Sequence, residues 1–126
     1  MNGKLILTRH HESEWNKKGL WTGVRDRHLT EYGFKKSEDM GRLIKDVRID
    51  YAFASMQVRS IETLSSMLTA CEKYEMPTEH SSALNERDYG IYTAKNKWDM
   101  EHILGEEEYK KLRRAWDRPI EGGESL

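Results

Sequence analysis

The sequence predicts an α/β fold with a mostly parallel sheet, because short apolar runs alternate with segments that have helical periodicity. Residues 4–8 form an apolar run typical of a buried strand, and it ends abruptly in Arg9-His10-His11. A second short strand is predicted at residues 51–54. Each run precedes an amphipathic segment, and strands joined by helices in this order favour a parallel sheet with crossover connections.

Four helices are predicted from the spacing of apolar residues and from end signals. The first begins at Thr30, a suitable N-cap, and extends to about Lys45, with its apolar face formed by Met40, Leu43, Ile44 and Val47. The second follows Ser55, with Ile61, Leu64, Leu68 and Cys71 on one face. Pro77 and Ser81-Ser82 then interrupt the pattern, and two further helices are predicted at residues 96–104 and 106–116.

Composition indicates one globular domain over residues 1–126. The chain has 21 basic and 22 acidic side chains and a formal net charge of -1, which does not favour nucleic acid or an acidic membrane as a partner. Twelve aromatic residues argue against a disordered chain, although the mean hydropathy is -0.89. Cys71 is the only cysteine, and no apolar run reaches membrane-spanning length. We therefore expect a soluble, cytoplasmic protein.

The predicted topology brings basic residues to one edge of the sheet. Arg9 and His10 follow the first predicted strand, and Arg59 follows the second. Because ligands bind beyond the carboxyl ends of parallel strands, these three side chains predict an anion site at that edge. Guanidinium groups beside a histidine suit phosphate in particular.

Five motifs along the whole chain resemble the cofactor-dependent phosphoglycerate mutases of the histidine phosphatase superfamily. Residues 7–16, LTRHHESEWN, are similar to the family signature R-H-G-E-S-x-W-N with one change. The other four are residues 21–26 (WTGVRD), 29–33 (LTEYG), 54–64 (ASMQVRSIETL) and 84–90 (LNERDYG), and residues 123–126 (GESL) add a further match at the end. The resemblance implies a three-layer sandwich with a mostly parallel sheet, of which this chain is the N-terminal part.

The resemblance implies that His10 is the phosphoryl acceptor and that Arg9 and Arg59 hold the transferring group. A neutral imidazole is nucleophilic at pH 7, and guanidinium groups stabilise the charge on phosphoryl oxygens. Read without the family, His10 is a strand-end histidine bonded to a carbonyl, and either arginine is a member of a surface salt bridge. The resemblance also adds phosphate- or substrate-binding roles for Ser13, Asn16, Thr22, Gly23 and Arg87.

Glu86 is the candidate general acid and base, because a mutase must take a proton from a substrate hydroxyl and return it. The alternative for Glu86 is an ion pair with neighbouring Arg87. The resemblance further implies a clamp for a small phosphorylated carboxylic acid, formed by Tyr89, Lys97, Arg113 and Arg114. Arg113 and Arg114 are alternatively a solvated helix face.

His11 departs from the family, which has glycine directly after the nucleophile. Glycine allows close approach of the backbone to phosphate, whereas an imidazole adds bulk and a possible charge. We expect His11 to narrow the pocket, so that His11→Gly raises activity, with the alternative that His11 is a second phosphate ligand. Either outcome would alter the balance between mutase and phosphatase activity.

The chain also stops short of the family's usual length. The family's second active-site histidine lies in the missing part, and His28, His80 and His102 stand in other contexts. We expect an incomplete sheet to expose apolar faces, and the chain to form homo-oligomers or to associate with a C-terminal half. The chain is expected to be a fragment, a part of a split protein or a truncated relative.

The leading functional hypothesis is a phosphoglycerate mutase that interconverts 3-phosphoglycerate and 2-phosphoglycerate in glycolysis and gluconeogenesis. The resemblance implies a phosphohistidine at His10 primed by 2,3-bisphosphoglycerate, and no metal. The alternatives are a phosphatase that uses the same histidine chemistry, and a non-catalytic remnant that binds phosphorylated ligands or a partner chain.

Overall fold

A computed structural model describes residues 2–126. This part of the chain contains five α-helices and two β-strands, and one helix separates the two strands. They are α1 (Glu14–Lys17), α2 (Glu31–Leu43), β1 (Ala52–Ser55), α3 (Val58–Ala70), β2 (Thr78–Ser81), α4 (Lys97–Leu104) and α5 (Glu106–Arg114). Single 3₁₀ turns occur at Ser82–Leu84 and Gly90–Tyr92.

The two strands are parallel neighbours, with Ala52 opposite Thr78 and Ser55 opposite Ser81. Helix α3 connects them, so the predicted α/β class and the crossover connection are confirmed. Strand β1 lies one residue later than the strand predicted at residues 51–54. Strand β2 was not predicted, because its sequence Thr-Glu-His-Ser is polar and mostly exposed and shows no apolar alternation.

The strand predicted at residues 4–8 is wrong for the described structure. This segment belongs to no strand, and the side chains of Leu5 and Leu7 are both 86% exposed. A strand needs a neighbour to satisfy its backbone donors and acceptors, and within residues 2–126 the sheet contains only β1 and β2. The position of His10 is therefore set by the residues that follow it rather than by sheet pairing.

The four predicted helices are confirmed within two residues at most ends. Thr30 is the N-cap of α2, and its hydroxyl accepts a hydrogen bond from the backbone N–H of Gly33. Asn96 caps α4 in the same way. Helix α1 was not predicted because it has only one turn, held by a capping box between Ser13 and Asn16.

The predicted apolar face of α2 is not the face that packs. Leu43 is 77% exposed, whereas Gly33, Ser37 and Gly41 are the buried positions of the helix. Their small side chains allow close approach: a Cβ on Gly41 would lie 2.3 Å from the carbonyl oxygen of Met67 in α3. Small residues repeated every four positions therefore determine how α2 packs against α3, and a hydropathy pattern does not detect residue size.

The main hydrophobic cluster lies beside the predicted phosphate motifs. It consists of Trp21, Tyr109, Leu112 and Ile120, with Tyr89, Tyr92, Met100 and Leu104 packed against it. The rings of Trp21 and Tyr89 stack with centroids 5.7 Å apart. Because Trp21 precedes Thr22 and Gly23, this cluster connects the early motif to the segment around residue 86 and to α5.

The sheet leaves apolar side chains exposed, as the sequence predicts. Ala52 and Ala54 are buried, whereas Phe53 on the opposite side of β1 is 59% exposed. Its ring contacts that of Tyr51, with centroids 4.9 Å apart. No helix within residues 2–126 combines the length and the apolar character needed to cross a bilayer.

Candidate phosphate site

His10 is half-buried, and one of its two ring nitrogens is committed to the backbone. Nδ1 lies 2.7 Å from the carbonyl oxygen of His11. A carbonyl can only accept, so Nδ1 carries the proton and Nε2 keeps its lone pair. Burial lowers the pKa of His10, and the positive charges of Arg59 and Arg9 lower it further, against the His11 hydrogen bond and Glu86. The neutral, nucleophilic form is therefore favoured near pH 7.

Arg59 in the first turn of α3 is only 2% exposed, and two of its nitrogens are bound to backbone. Nη2 donates to the carbonyl of Gly23 at 2.7 Å, and Nη1 donates to that of Arg25 at 3.0 Å. Nε has no hydrogen-bond partner among the described residues. Burial lowers the pKa of Arg59, while Glu86 is the first group that opposes this shift. The guanidinium is thus a fixed cation with an unused donor.

The turn at Thr22 and Gly23 brings the early motif against the later one. Gly23 has a φ of 53°, and a Cβ there would lie 2.8 Å from the carbonyl oxygen of Arg87. Only glycine adopts this conformation at such close range without strain. The hydroxyl of buried Thr22 has no partner among the described residues, and it is a second unused polar group near the turn.

Glu86 lies at the centre of a group of charged and polar side chains. Its backbone N–H donates to Oε1 of Gln57 at 3.1 Å, and its carboxylate faces the hydroxyl of Tyr89 at 3.5 Å. Burial raises the pKa of the Tyr89 phenol, and the charge of Glu86 raises it further. The charge of the same carboxylate also acts on His10 and Arg59, so one acid lies near the candidate nucleophile and a buried cation.

Lys97 and Arg113 bring two more cations to this group. Burial lowers the pKa of Lys97, as do the charges of Arg113 and Arg9, whereas Glu86 opposes them. The guanidinium of Arg113 lies 5.6 Å from the ring centre of Tyr109. Arg114 is exposed, and within the described residues no hydrogen bond joins it to the site.

Arg87 is 8% exposed and braces the end of α5. Its Nη2 donates to the carbonyls of Leu112 and Arg113 at 2.9 and 3.3 Å. Its guanidinium lies 4.8 Å from the ring centre of Tyr89, and its Nε and Nη1 have no partner among the described residues. The alternative of an ion pair between Glu86 and Arg87 receives no support, because no such pair occurs among the salt bridges of residues 2–126.

Ser13 and Asn16 are bound to each other. Ser13 is fully buried, and both its backbone N–H and its hydroxyl donate to Oδ1 of Asn16, at 3.0 and 2.8 Å. The side-chain NH₂ of Asn16 is the group left to act as a donor. A direct phosphate contact by either residue stays a prediction.

His11 is directed to helix α2. Its Nδ1 lies 2.8 Å from Oγ of Ser37, and burial, followed by the charge of Lys36, lowers its pKa. The ring thus has an anchor on the helix, and the structure gives no support to the expectation that it narrows the pocket. Whether His11 also contacts phosphate stays a prediction.

Gln57 is a residue that the sequence interpretation missed. It is 6% exposed, its Nε2 donates to the carbonyl of Gly23 at 2.9 Å, and its Oε1 accepts from the N–H of Glu86. One amide therefore joins the turn at Gly23 to the candidate acid. The available signal was its place two residues before Arg59 in the motif at residues 54–64.

Residues 2–126 contain two surface hollows besides the candidate phosphate site. No group of three or more histidine, cysteine or acidic side chains is placed to hold a metal ion in this part of the chain. Two shallow hollows lie elsewhere, one against Glu38 and Thr69 on α2 and α3 and one along residues 72–77.

A parallel α/β fold that gathers a neutral histidine, buried arginines and a carboxylate defines a class of phosphoryl-handling proteins. Residues 5–126 match the histidine phosphatase superfamily (branch 1), and the chain belongs to this family. It is 41% identical over 128 residues to the 2,3-bisphosphoglycerate-dependent phosphoglycerate mutase of Rhizobium meliloti (strain 1021). That alignment covers 100% of this chain and 61% of the relative, so the chain spans about three fifths of the curated relative's length.

Two solved structures share the fold. The phosphoglycerate mutase from Bacillus anthracis str. Sterne has a TM-score of 0.74 at 24% identity, and the match covers 84% of this chain and 48% of that one. The alpha-ribazole phosphatase from Shigella flexneri has a TM-score of 0.74 at 25% identity, covering 92% of this chain and 56% of that one. The fold is thus common to mutases and phosphatases.

Proposed function

We propose that this chain carries the phosphoryl-accepting part of a 2,3-bisphosphoglycerate-dependent phosphoglycerate mutase. The reaction interconverts 3-phosphoglycerate and 2-phosphoglycerate through a phosphohistidine at His10, as part of cytoplasmic glycolysis and gluconeogenesis. The observation that carries the proposal is the neutral imidazole of His10, with Nδ1 bound to a carbonyl and Nε2 available, beside the charges of Arg59 and Arg9.

The donors of the site fit a bisphosphorylated acid. Among the described residues, four of the five buried side-chain polar atoms that lack a partner belong to Thr22, Arg59 and Arg87, all part of the motifs around the site. Buried donors without acceptors are costly in a protein, and phosphate or carboxylate oxygens would satisfy them. Arg59, Thr22, Gly23, Ser13 and Asn16 would hold one phosphate, and Arg87, Lys97, Arg113, Arg114 and Tyr89 the rest of the molecule. When bound, 2,3-bisphosphoglycerate supplies the phosphoryl group that primes the histidine.

His10 and Arg59 would have different roles in phosphoryl transfer. The lone pair on Nε2 attacks phosphorus while the bond to the leaving oxygen breaks. The proton stays on Nδ1, which remains hydrogen-bonded to the His11 carbonyl. Arg59 cannot change its orientation, since its Nη atoms are bound to Gly23 and Arg25. Such a preorganised cation stabilises the equatorial oxygens without reorganisation at the moment of transfer.

Glu86 would exchange a proton with the substrate hydroxyl. Its backbone is held by Gln57, and its carboxylate faces the hydroxyl of Tyr89 and the charges of the site. As the hydroxyl attacks the phosphohistidine, its proton passes to the carboxylate, and the reverse step returns it.

The test is incorporation of labelled phosphate. The 126-residue chain is incubated with 2,3-bisphosphoglycerate that carries ³²P, and a label that resists alkali but is lost in acid identifies a phosphoramidate. We expect label on the chain as it is and on His102→Gln, a change at an exposed site in α4, and none on His10→Gln. Equal labelling of His10→Gln, or no label on any folded variant, would overturn the proposal.

A phosphatase is the second candidate, since the alpha-ribazole phosphatase shares the fold at 25% identity. In that case water takes the phosphoryl group from His10, and Glu86 serves as the base for water. Release of inorganic phosphate from labelled chain without transfer to 3-phosphoglycerate would favour the phosphatase.

A further inference from the structure

The position of His10 depends on a small number of contacts. Residues 4–8 pair with no strand in the described part of the chain, so no sheet hydrogen bonds hold the segment before His10. The contacts after it begin with His11, three of whose polar groups have partners: the backbone N–H, the carbonyl and ring Nδ1.

His11 connects His10 to two helices. Its backbone N–H donates to Oγ1 of Thr63 in α3 at 3.1 Å, and its ring Nδ1 lies 2.8 Å from Oγ of Ser37 in α2. Its carbonyl accepts from the Nδ1–H of His10 at 2.7 Å. The residue whose carbonyl orients His10 is therefore anchored through its backbone N–H and through its ring.

The direction of each hydrogen bond follows from the partners. The hydroxyl of Ser37 donates to the carbonyl of Gly33 at 2.8 Å, so its oxygen must accept from Nδ1–H of His11. The hydroxyl of Thr63 donates to the carbonyl of Arg59 at 2.8 Å and accepts from His11 in the same way. Ser37 is fully buried and Thr63 is 3% exposed, so water does not readily replace either partner.

We propose that His11 is a positioning residue, whose ring, anchored on Ser37, fixes the carbonyl that holds His10 in the tautomer with Nε2 free. This inference rests on the proposed function only for its catalytic consequence. Glycine at position 11 would lack the anchor on α2 and would add backbone freedom at the residue that orients His10. We therefore expect His11→Gly to disorder His10 and to lower phosphoryl transfer. If His11 narrowed the pocket, the same substitution would raise it.

Two amide variants separate an anchor from mere bulk. Nδ2 of asparagine can occupy the position of histidine Nδ1, so His11→Asn keeps the donor to Ser37. Glutamine places its donor at the position of Nε2, so His11→Gln has similar polarity and a greater length without the anchor. Ser37→Ala removes the acceptor and leaves His11 intact.

The experiment measures ring nitrogen shifts of His10 by NMR on the ¹⁵N-histidine-labelled 126-residue chain, with His10→Gln used for assignment. We expect the Nδ1–H tautomer in the unchanged chain, in His11→Asn and in the control His102→Gln. We expect a mixture of tautomers in His11→Gly, His11→Gln and Ser37→Ala. Labelling by ³²P should fall about tenfold to a hundredfold in those three variants, the effect of a misplaced reacting group.

The outcomes separate this inference from the proposed function. An unchanged tautomer of His10 in folded His11→Gly and folded Ser37→Ala would overturn the inference. If His11→Gly does not fold, Ser37→Ala and His11→Gln decide it by the same measurement. A tautomer shift in a chain that never takes up label would keep His11 as a positioning residue while removing the proposed phosphoryl transfer.

Discussion

At the scale of single residues, three histidines titrate in ways set by their neighbours. Burial lowers the pKa of His10 from the ordinary value of 6.5, and burial and Lys36 lower that of His11. The hydrogen bond from exposed His28 to Glu62, 2.6 Å long, raises the pKa of His28. Acidification therefore changes the free energy of unfolding in opposite directions at these sites: it lowers it at His10 and His11 and raises it at His28.

The first prediction concerns stability against pH. At positions 10 and 11 the unfolded chain binds protons more readily, so their effect is absent above pH 6.5 and destabilises the fold as the pH falls through that value. At His28 the folded chain binds the proton more readily, so its contribution is present below 6.5 and disappears as the pH rises through the raised pKa.

Urea unfolding between about pH 5 and about pH 8 measures this balance. We expect His10→Gln to reduce the loss of unfolding free energy on acidification, and His28→Gln to increase it. The same slope in both variants would contradict the assignment.

The second prediction concerns Gln57. Gln57→Leu removes the partner of the Glu86 N–H and one donor to Gly23, which should lower the free energy of unfolding by about 1–3 kcal/mol. Gln57→Glu keeps the acceptor for the Glu86 N–H but loses the donor to Gly23, so it tests the Gly23 bond separately. Urea unfolding and affinity for inorganic phosphate are the measurements, and an unaffected Gln57→Leu would show that Gly23 and Glu86 are held by other contacts.

At the scale of elements, the pairing of α2 with α3 depends on small residues. Alanine normally stabilises a helix relative to glycine by about 0.5–1 kcal/mol. At Gly41 the added Cβ would meet the backbone of Met67, so the sign should reverse.

The third prediction is that Gly41→Ala lowers the free energy of unfolding by about 1–3 kcal/mol, the usual cost of overpacking. Lys35→Ala, at an exposed position of the same helix, is the control for helix propensity and should change the free energy of unfolding little. Thermal and urea unfolding provide the comparison. Stabilisation by Gly41→Ala would mean that the two helices can separate without penalty.

At the scale of the whole molecule, we expect the open face of the sheet to favour association. Phe53 and Tyr51 expose apolar rings there, and apolar patches of this kind favour contact between molecules. The chain also spans 61% of the length of a curated relative.

The fourth prediction is that this 126-residue chain associates in solution and has negligible mutase turnover. The exposed rings favour association. The low turnover is expected because a transition-state site that lacks one positioned donor loses about 10²–10³ in rate. Phe53→Lys should reduce association, whereas Tyr74→Lys, at a 72% exposed ring elsewhere, should not. Sedimentation and a mutase assay with 2,3-bisphosphoglycerate are the measurements. Full turnover by a stable monomer would contradict the prediction.

The sequence by itself determined the local and periodic features of this protein. The cap at Thr30, helices α2 to α5 and strand β1 follow from propensity, spacing and end signals that act within a few residues. The motifs around His10, Arg59 and Glu86 predicted the family because their order along the chain is specific. The roles of these residues in phosphoryl transfer remain predictions.

Only the tertiary structure decided which of these residues have free polar groups and which parts of the chain hold them. Residues 4–8 have the composition of a strand, but in the described chain they pair with neither β1 nor β2, and composition alone does not reveal pairing. Helix α2 packs through Gly33, Ser37 and Gly41 rather than through its apolar stripe. Close backbone approach depends on the partner helix, which the sequence of α2 does not contain. The anchor from His11 to Ser37 spans 26 positions, and a hydrogen bond between such distant side chains leaves no trace in local periodicity.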